Sequence, residues 1–274
     1  FTNCPANITV GNDVDKCGAN VFFVAPSATD NCAGVTVTRT GGLAPGALFP
    51  VGTTTEVYLA TDASGNTATC TFTVTVTDMQ TPTAVCQDIT VNLSAATNAG
   101  AVTVTAAQIN GGSTDNCPGT LTYAPLTTNY TCANRGDNNI TLTVTDGAGN
   151  TSTCVATVTV RDVTPPVITT CPANTTVNSC STIVPNNVPL LVANDNCGVS
   201  TVTQNPAPGV VFGPGNGNVL TIVYTVTDAS GNSSTCTSTI TVVDNVNPVF
   251  TNCPANITVG NDVDKCGANV FFVA

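Results

Sequence analysis

TDASGNTATCTFTVTVTD, residues 61–78, decides how the rest of the chain is read. The pattern returns as TDGAGNTSTCVATVTVRD at residues 145–162 and as TDASGNSSTCTSTITVVD at residues 227–244. Each copy holds a strand that closes in Thr-Asp, a Gly-Asn turn, a cysteine and an alternating run to a final aspartate. In the first copy Cys70, Phe72, Val74 and Val76 fall on one face and Thr71, Thr73, Thr75 and Thr77 on the other. A period of two marks a half-buried strand. Asp-x-x-Gly-Asn between two such runs is hairpin chemistry, because Gly and Asn accept the positive φ that a tight connection needs. Three copies of one hairpin make a repeat protein.

Hairpins spaced 80 to 85 residues apart in a chain of 274 predict three small modules, residues 1–78, 79–162 and 163–247. Residues 1–25 reappear unchanged as residues 250–274, so 248–274 reads as the start of a fourth module. The three-module unit is then itself duplicated, and the chain, which opens at Phe1 without a signal peptide, reads as a piece of a very long array. A module this small buries only about 60% of its unfolded surface and is marginal alone. Fourteen cysteines supply the remedy. With no CxxC and no histidine, zinc or iron–sulfur ligation has little to work with. Disulfides are the expected use, which implies an oxidising, extracellular or cell-surface setting.

Within residues 1–78 the reading gives short strands at residues 8–10, 21–24 and 35–40, a short one near 48–49, and a long one leading into the hairpin. About seven short strands with turn signals between them and no helical periodicity predict an all-β fold of tandem immunoglobulin-like β-sandwiches, disulfide-stapled, in an elongated rod. Tryptophan is absent, so the core is not of the antibody type. Of the adjacent Phe22 and Phe23, one faces the core and the other does not. Proline marks the short junctions (Pro82; Pro165 and Pro166; Pro248), as stiff spacers.

Three cysteines hold equivalent places in each complete module: the opening one (Cys4, Cys86, Cys171), the one ending TDNC or NDNC (Cys32, Cys117, Cys197) and the one after the hairpin (Cys70, Cys154, Cys236). The fourth moves, being Cys17 and Cys180 in the outer modules and Cys132 in the middle one. Four cysteines allow three connectivities. The favoured one ties first strand to last as Cys4–Cys70, Cys86–Cys154 and Cys171–Cys236, and leaves Cys17–Cys32, Cys117–Cys132 and Cys180–Cys197. An opening cysteine paired to the Cys17 type has no counterpart in the middle module. Loops of this size stabilise by roughly 3–4 kcal/mol each in the chain-entropy model.

CPANITV, then PSATDNC, then LFPVGTTTEVYLATDASGNTATCTFTVTVTD resembles the hyalin repeat (HYR) module, an immunoglobulin-like extracellular domain. The resemblance covers all of the first module and most of the third. The second departs in its middle, with an inserted segment at residues 95–107 and with Cys132. In that family the opening cysteine and the one after Gly-Asn occur together, which implies that they are partners. Long HYR-like arrays resemble giant secreted surface proteins of Bacteroidetes-type bacteria, including adhesins, and the family implies adhesion or matrix roles.

Formal charge is −11, from five Lys plus Arg against sixteen Asp plus Glu. That excludes nucleic acid as a natural partner and offers no basic patch to anionic lipid; no apolar stretch is long enough for a spanning helix. Catalysis lacks a base, with no His and only Lys16 and Lys265, so no enzyme is expected. The aspartates leave two readings open. The TDNC and DxxGN turns of a sandwich share the end that faces the preceding module, where that module's last strand delivers its final aspartate. Asp78 would meet Asp115, Asn116, Asp146 and Asn150 there, and Asp162 would meet Asp195, Asn196, Asp228 and Asn232. Such a set of oxygens suits Ca²⁺; alternatively each side chain caps its own turn. The function expected is structural and adhesive: an extracellular fibre or stalk extending from a cell, whose partners are neighbouring modules, other fibres, or surface glycans and proteins. The other function considered is recognition of a glycan or protein through a loop face.

Overall fold

The computed structural model describes residues 1–94, 100–213, 217–251, 256–264, 266 and 268–271. It is almost entirely β. The first sandwich is built from β1 (Ile8–Gly11), β2 (Gly18–Asn20), β3 (Thr36–Gly41), β4 (Leu48–Pro50), β5 (Gly52–Thr61) and β6 (Thr67–Thr77). One sheet runs β1-β6-β5-β3, and β2 pairs with β4 to form the other. β5 and β6 are the two arms of the hairpin, in continuous antiparallel register from Gly52↔Val76 to Thr61↔Thr67, while β1 joins β6 in parallel.

The second sandwich repeats this plan with β7 (Ile89–Asn92), β8 (Ala101–Thr105), a single helical turn α1 (Ala106–Ile109), β9 (Thr122–Ala124), β10 (Thr127–Thr131), β11 (Gly136–Thr145) and β12 (Thr151–Arg161). Its sheets are β7-β12-β11-β9 and β10-β8. Residues 95–99 of the inserted segment lie outside the described residues; the remainder supplies β8 and α1. The third contains β13 (Val167–Thr170), β14 (Thr175–Asn178), β15 (Thr182–Ile183), β16 (Val192–Asn194), β17 (Val199–Asn205), β18 (Val211–Phe212), β19 (Asn218–Asp228) and β20 (Ser233–Val243). Its large sheet is β14-β20-β19-β17, with the small pairs β15-β18 and β13-β16.

The chain packs as two compact units. One comprises Phe1–Thr169 with Ala193–Val202 and Val226–Ser234; the other comprises Thr170–Val192, Thr203–Thr225 and Thr235–Ala274. The first unit therefore holds two whole sandwiches and the Asp195 and Asp228 turns of the third. Each sandwich has its own core, set by the alternation of its hairpin. Cys70, Phe72, Val74 and Val76 are all buried, together with Phe49 and Tyr58. Leu142, Val144, Ala156, Val158 and Val160 do the same in the second, and Ile222, Tyr224 and Ile240 in the third.

Two local expectations change. The second strand forms at Gly18–Asn20 rather than at residues 21–24, because its partner β4 spans only Leu48–Pro50. Past Asn20 the chain leaves the ladder and exchanges bonds with a turn, Val21 N–H donating to the Ala47 carbonyl at 3.3 Å. Phe23 then packs edge-on against Phe72 with ring centres 5.1 Å apart, and Phe22 is exposed. The segment at 248–274 shows no strand among its described residues, although it repeats the sequence of β1 and β2. β1 exists by pairing with β6, and no second copy of β6 follows residue 250 in this chain.

Candidate functional site

The hairpin turn shapes one end of each sandwich. Asp62 Oδ1 accepts the N–H groups of Ser64 at 2.9 Å and Asn66 at 2.8 Å, and Asn66 Nδ2 donates to Asp62 Oδ2 at 2.8 Å. The same bonds recur around Asp146, from Ala148 and Asn150, and around Asp228, from Ser230 and Asn232. Donation to a carboxylate favours its charged form. The Asn66 side chain and backbone hold Asp62 below the ordinary carboxylate value. At Asp146 burial pushes upward, and the donations from Asn150, Ala148 and Gly149 outweigh it, so that this group too lies low.

The neighbouring TDNC loop closes a second Asx-type turn. Cys117 N–H donates to Asp115 Oδ2 at 2.9 Å and Cys197 N–H to Asp195 Oδ2 at 2.8 Å. The hairpin asparagine then reaches across to the preceding sandwich. Asn150 Nδ2 donates to the Asp78 carbonyl at 3.2 Å, and Asn232 Nδ2 to the Asp162 carbonyl at 3.1 Å. Asp78 and Asp162 follow β6 and β12 directly, so each last strand delivers its aspartate against the turns of the next sandwich.

The two junctions differ in completeness. Carboxylate oxygens of Asp162, Asp195 and Asp228 lie within 4.8 Å of one another, with Asp162 and Asp228 only 6% and 3% exposed. At an effective dielectric of about 20, two unit charges this far apart repel by roughly 3 kcal/mol. Asn196, 7% exposed, donates from Nδ2 to Asp162 Oδ1 at 3.2 Å. At the other junction Asp78 meets Asp115 and the Cys117 sulfur within the same 4.8 Å. Asp146 keeps to its own turn there, and Asn116 Nδ2 donates to the Lys16 carbonyl at 3.0 Å. Asn150 and Asn232 present amide nitrogens to this region and act as donors. Sequence pattern named these ten residues; the oxygens left over once each turn is closed had no signature in it.

The disulfides run differently from the within-module scheme. Cys4–Cys70, Cys86–Cys154 and Cys171–Cys236 close first strand to last. The expected Cys17–Cys32, Cys117–Cys132 and Cys180–Cys197 are not formed. Instead Cys17 bonds Cys117, with Cα atoms 4.6 Å apart, and Cys132 bonds Cys197 at 5.4 Å. The reason is length. Gly18 pairs with Pro50, the last residue of β4 and two residues before β5 begins, whereas Thr36, just after Cys32, pairs with Thr61 at the far end of β5. Ten residues of strand separate these ends by about 30 Å, far beyond disulfide reach. Cys17 and Cys132 lie at the trailing ends of their sandwiches, where the TDNC cysteine of the next arrives. Cys32 and Cys180 are exposed thiols, as is Cys266.

No helix of the described residues is long and apolar enough to cross a membrane. Five disulfides among them place the chain in an oxidising, extracellular or cell-surface setting. Comparison with known proteins gives the lineage. The chain is similar to hyalin of Strongylocentrotus purpuratus, 32% identical over 97% of this chain and 22% of that protein. It is similar to hyalin of Lytechinus variegatus at 31% over 97% of this chain and 51% of that protein. The chain thus spans about a fifth and about half the length of these relatives. A stretch of 81 residues, 29% of this chain, is 38% identical to 2% of the sushi, von Willebrand factor type A, EGF and pentraxin domain-containing protein 1 of Rattus norvegicus. Among solved structures, mouse cadherin-23 EC22-24 aligns at TM-score 0.36 and 14% identity, covering 89% of this chain and 97% of that one. Immunoglobulin domains 1–4 of sidekick-1 align at TM-score 0.32 and 11% identity, over 87% of this chain and 74% of that one. The HYR domain model matches residues 1–76 and 161–242, the two sandwiches on either side of the one with the displaced cysteine. The chain belongs to the HYR domain family.

Proposed function

We propose that this chain is a section of an adhesive or structural extracellular array in which successive HYR sandwiches are joined twice, once by peptide and once by disulfide. The observation that carries the reading is the pair of bonds Cys17–Cys117 and Cys132–Cys197, each linking one sandwich to the next. A crosslink between repeats adds covalent continuity along the array. It is what a load-bearing chain needs, because force applied along the array meets covalent bonds before it meets strand ladders. Membership in the HYR family and similarity to hyalins support an adhesion-type module. A long secreted surface protein, of the Bacteroidetes type or another, extending from a cell as a stiff fibre, is the setting that fits the duplicated unit at residues 1–25 and 250–274. Within such an array, exposed Cys32 and Cys180 would close the same bond to the sandwiches before and after. Its partners are other copies of the array or surface glycans and proteins.

Force microscopy with the chain on the tip tests both halves of this reading. Tips touched to surfaces bearing the chain, or bearing extracellular glycan, should give adhesive ruptures at short extension, and at long extension only after reduction. No adhesion to any of these surfaces would overturn the adhesive role. Unravelling to full contour length without reductant would overturn the mechanical one.

A further inference from the structure

We propose that Asp162, Asp195, Asn196 and Asp228 form a Ca²⁺ site, and that Asp78, Asp115 and Asn116 form a second, less complete copy. Three oxygen-bearing carboxylates converge within 4.8 Å at the first of these, two of them buried. Among the described residues the only ion pair is Lys16–Asp13, so no basic side chain neutralises the cluster. Arg135 stays one hydroxyl away, donating to Ser230 Oγ at 3.4 Å while Ser230 Oγ donates to Asp162 Oδ2 at 3.3 Å. Like charges held together in a desolvated place call for a cation.

A second observation points the same way and is independent of charge. Six buried side-chain oxygens among the described residues have no hydrogen-bond partner, and four of them are Asp115 Oδ1, Asn116 Oδ1, Asp195 Oδ1 and Asn196 Oδ1. The same two atoms are orphaned in two successive sandwiches. Leaving a buried acceptor unpaired is unfavourable, and nothing in the turn requires it, since Asp115 Oδ2 and Asp195 Oδ2 already satisfy the loop N–H groups. Asn196 is more than nine-tenths buried, its Nδ2 donates to Asp162 Oδ1, and its unpartnered oxygen belongs to the same amide head that borders the cluster. A ligand that accepts oxygen lone pairs and carries positive charge answers both features.

The donor set selects the ion. All available atoms are hard oxygens. The Cys117 and Cys197 sulfurs are held in disulfides, and the chain has no histidine, so zinc has no suitable partner. An acidic, mixed carboxylate and amide site whose remaining positions water can fill suits calcium, whereas magnesium demands stricter octahedral geometry. This assignment stands apart from the adhesive reading and does not depend on it.

The test uses the oxidised full chain. Calorimetric titration with CaCl₂ after exhaustive chelation should show saturable binding, and calcium at a hundred times the dissociation constant should raise the melting temperature by roughly 5 °C or more. Asp195→Asn keeps an oxygen for the Cys197 N–H and exchanges the orphaned oxygen for an amide. It should melt like the wild type without calcium and bind calcium at least tenfold more weakly at the Asp162 site. Asp115→Asn in the same chain should remove the remaining binding. MgCl₂ should bind more weakly than CaCl₂. Absence of saturable calcium binding, undiminished binding in the double variant, or equal response to magnesium would each overturn the assignment.

Discussion

Asp62 shows how a single side chain holds the hairpin. Its carboxylate receives three bonds from the turn it begins, which set its ionisation below the ordinary value. A carboxyl group of this kind stabilises the fold fully above its unfolded value, near 4, and loses that contribution as the pH falls through its lower folded value. The melting temperature should therefore fall as the pH drops below about 4, and Asp62→Asn should flatten part of that slope, melting below the wild type at pH 7 and converging with it in acid. A slope identical to wild type would remove Asp62 from the account. The Asp-x-x-Gly-Asn turn was legible because its chemistry is local. Glu56 was not. It is fully buried on the core face, where the aligned hairpins carry Ile140 and Ile222, with Oε1 accepting the Leu43 N–H at 2.6 Å. Only the loop that folds over it makes that position tolerate a carboxylate. Ser238 is similar, buried where the first sandwich has Phe72 and bonded to Tyr224 Oη at 3.1 Å.

At the scale of elements, alternation identified the long strands and length decided what they connect. β6, β12 and β20 follow the period of two visible in the sequence. The segment Ile-Thr-Val-Gly is a strand at Ile8–Gly11 and not at residues 257–260, because pairing with a last strand, and not propensity, makes it one. The displaced cysteines follow the same logic. The sequence already implied that TDNC loops and hairpin turns share the end facing the preceding sandwich. Measuring the ten-residue strand between that end and Cys17 would have excluded Cys17–Cys32. Gly100 is part of this connection: it is buried at φ +40°, and a Cβ there would stand 2.7 Å from the Cys132 sulfur and 3.1 Å from the Cys197 sulfur. Gly100→Ala should lower stability by about 2 kcal/mol, read from chemical denaturation, and should leave Cys132 and Cys197 more readily reduced than Cys86 and Cys154. Unchanged stability and reduction would show that the close approach is unimportant.

For the chain as a whole, the covalent map matters more than the shape of any one sandwich. Cys4–Cys70 and Cys86–Cys154 each close a loop within a sandwich, while Cys17–Cys117 spans the peptide between them. A cut in that peptide should not separate the halves. The decisive measurement places a site-specific protease sequence between Met79 and Thr83, cleaves the oxidised chain and compares gels with and without reductant. The account predicts one band at full mass without reductant and two fragments with it. Two fragments without reductant would mean that Cys17 and Cys117 are not joined, and the doubly linked array would be contradicted.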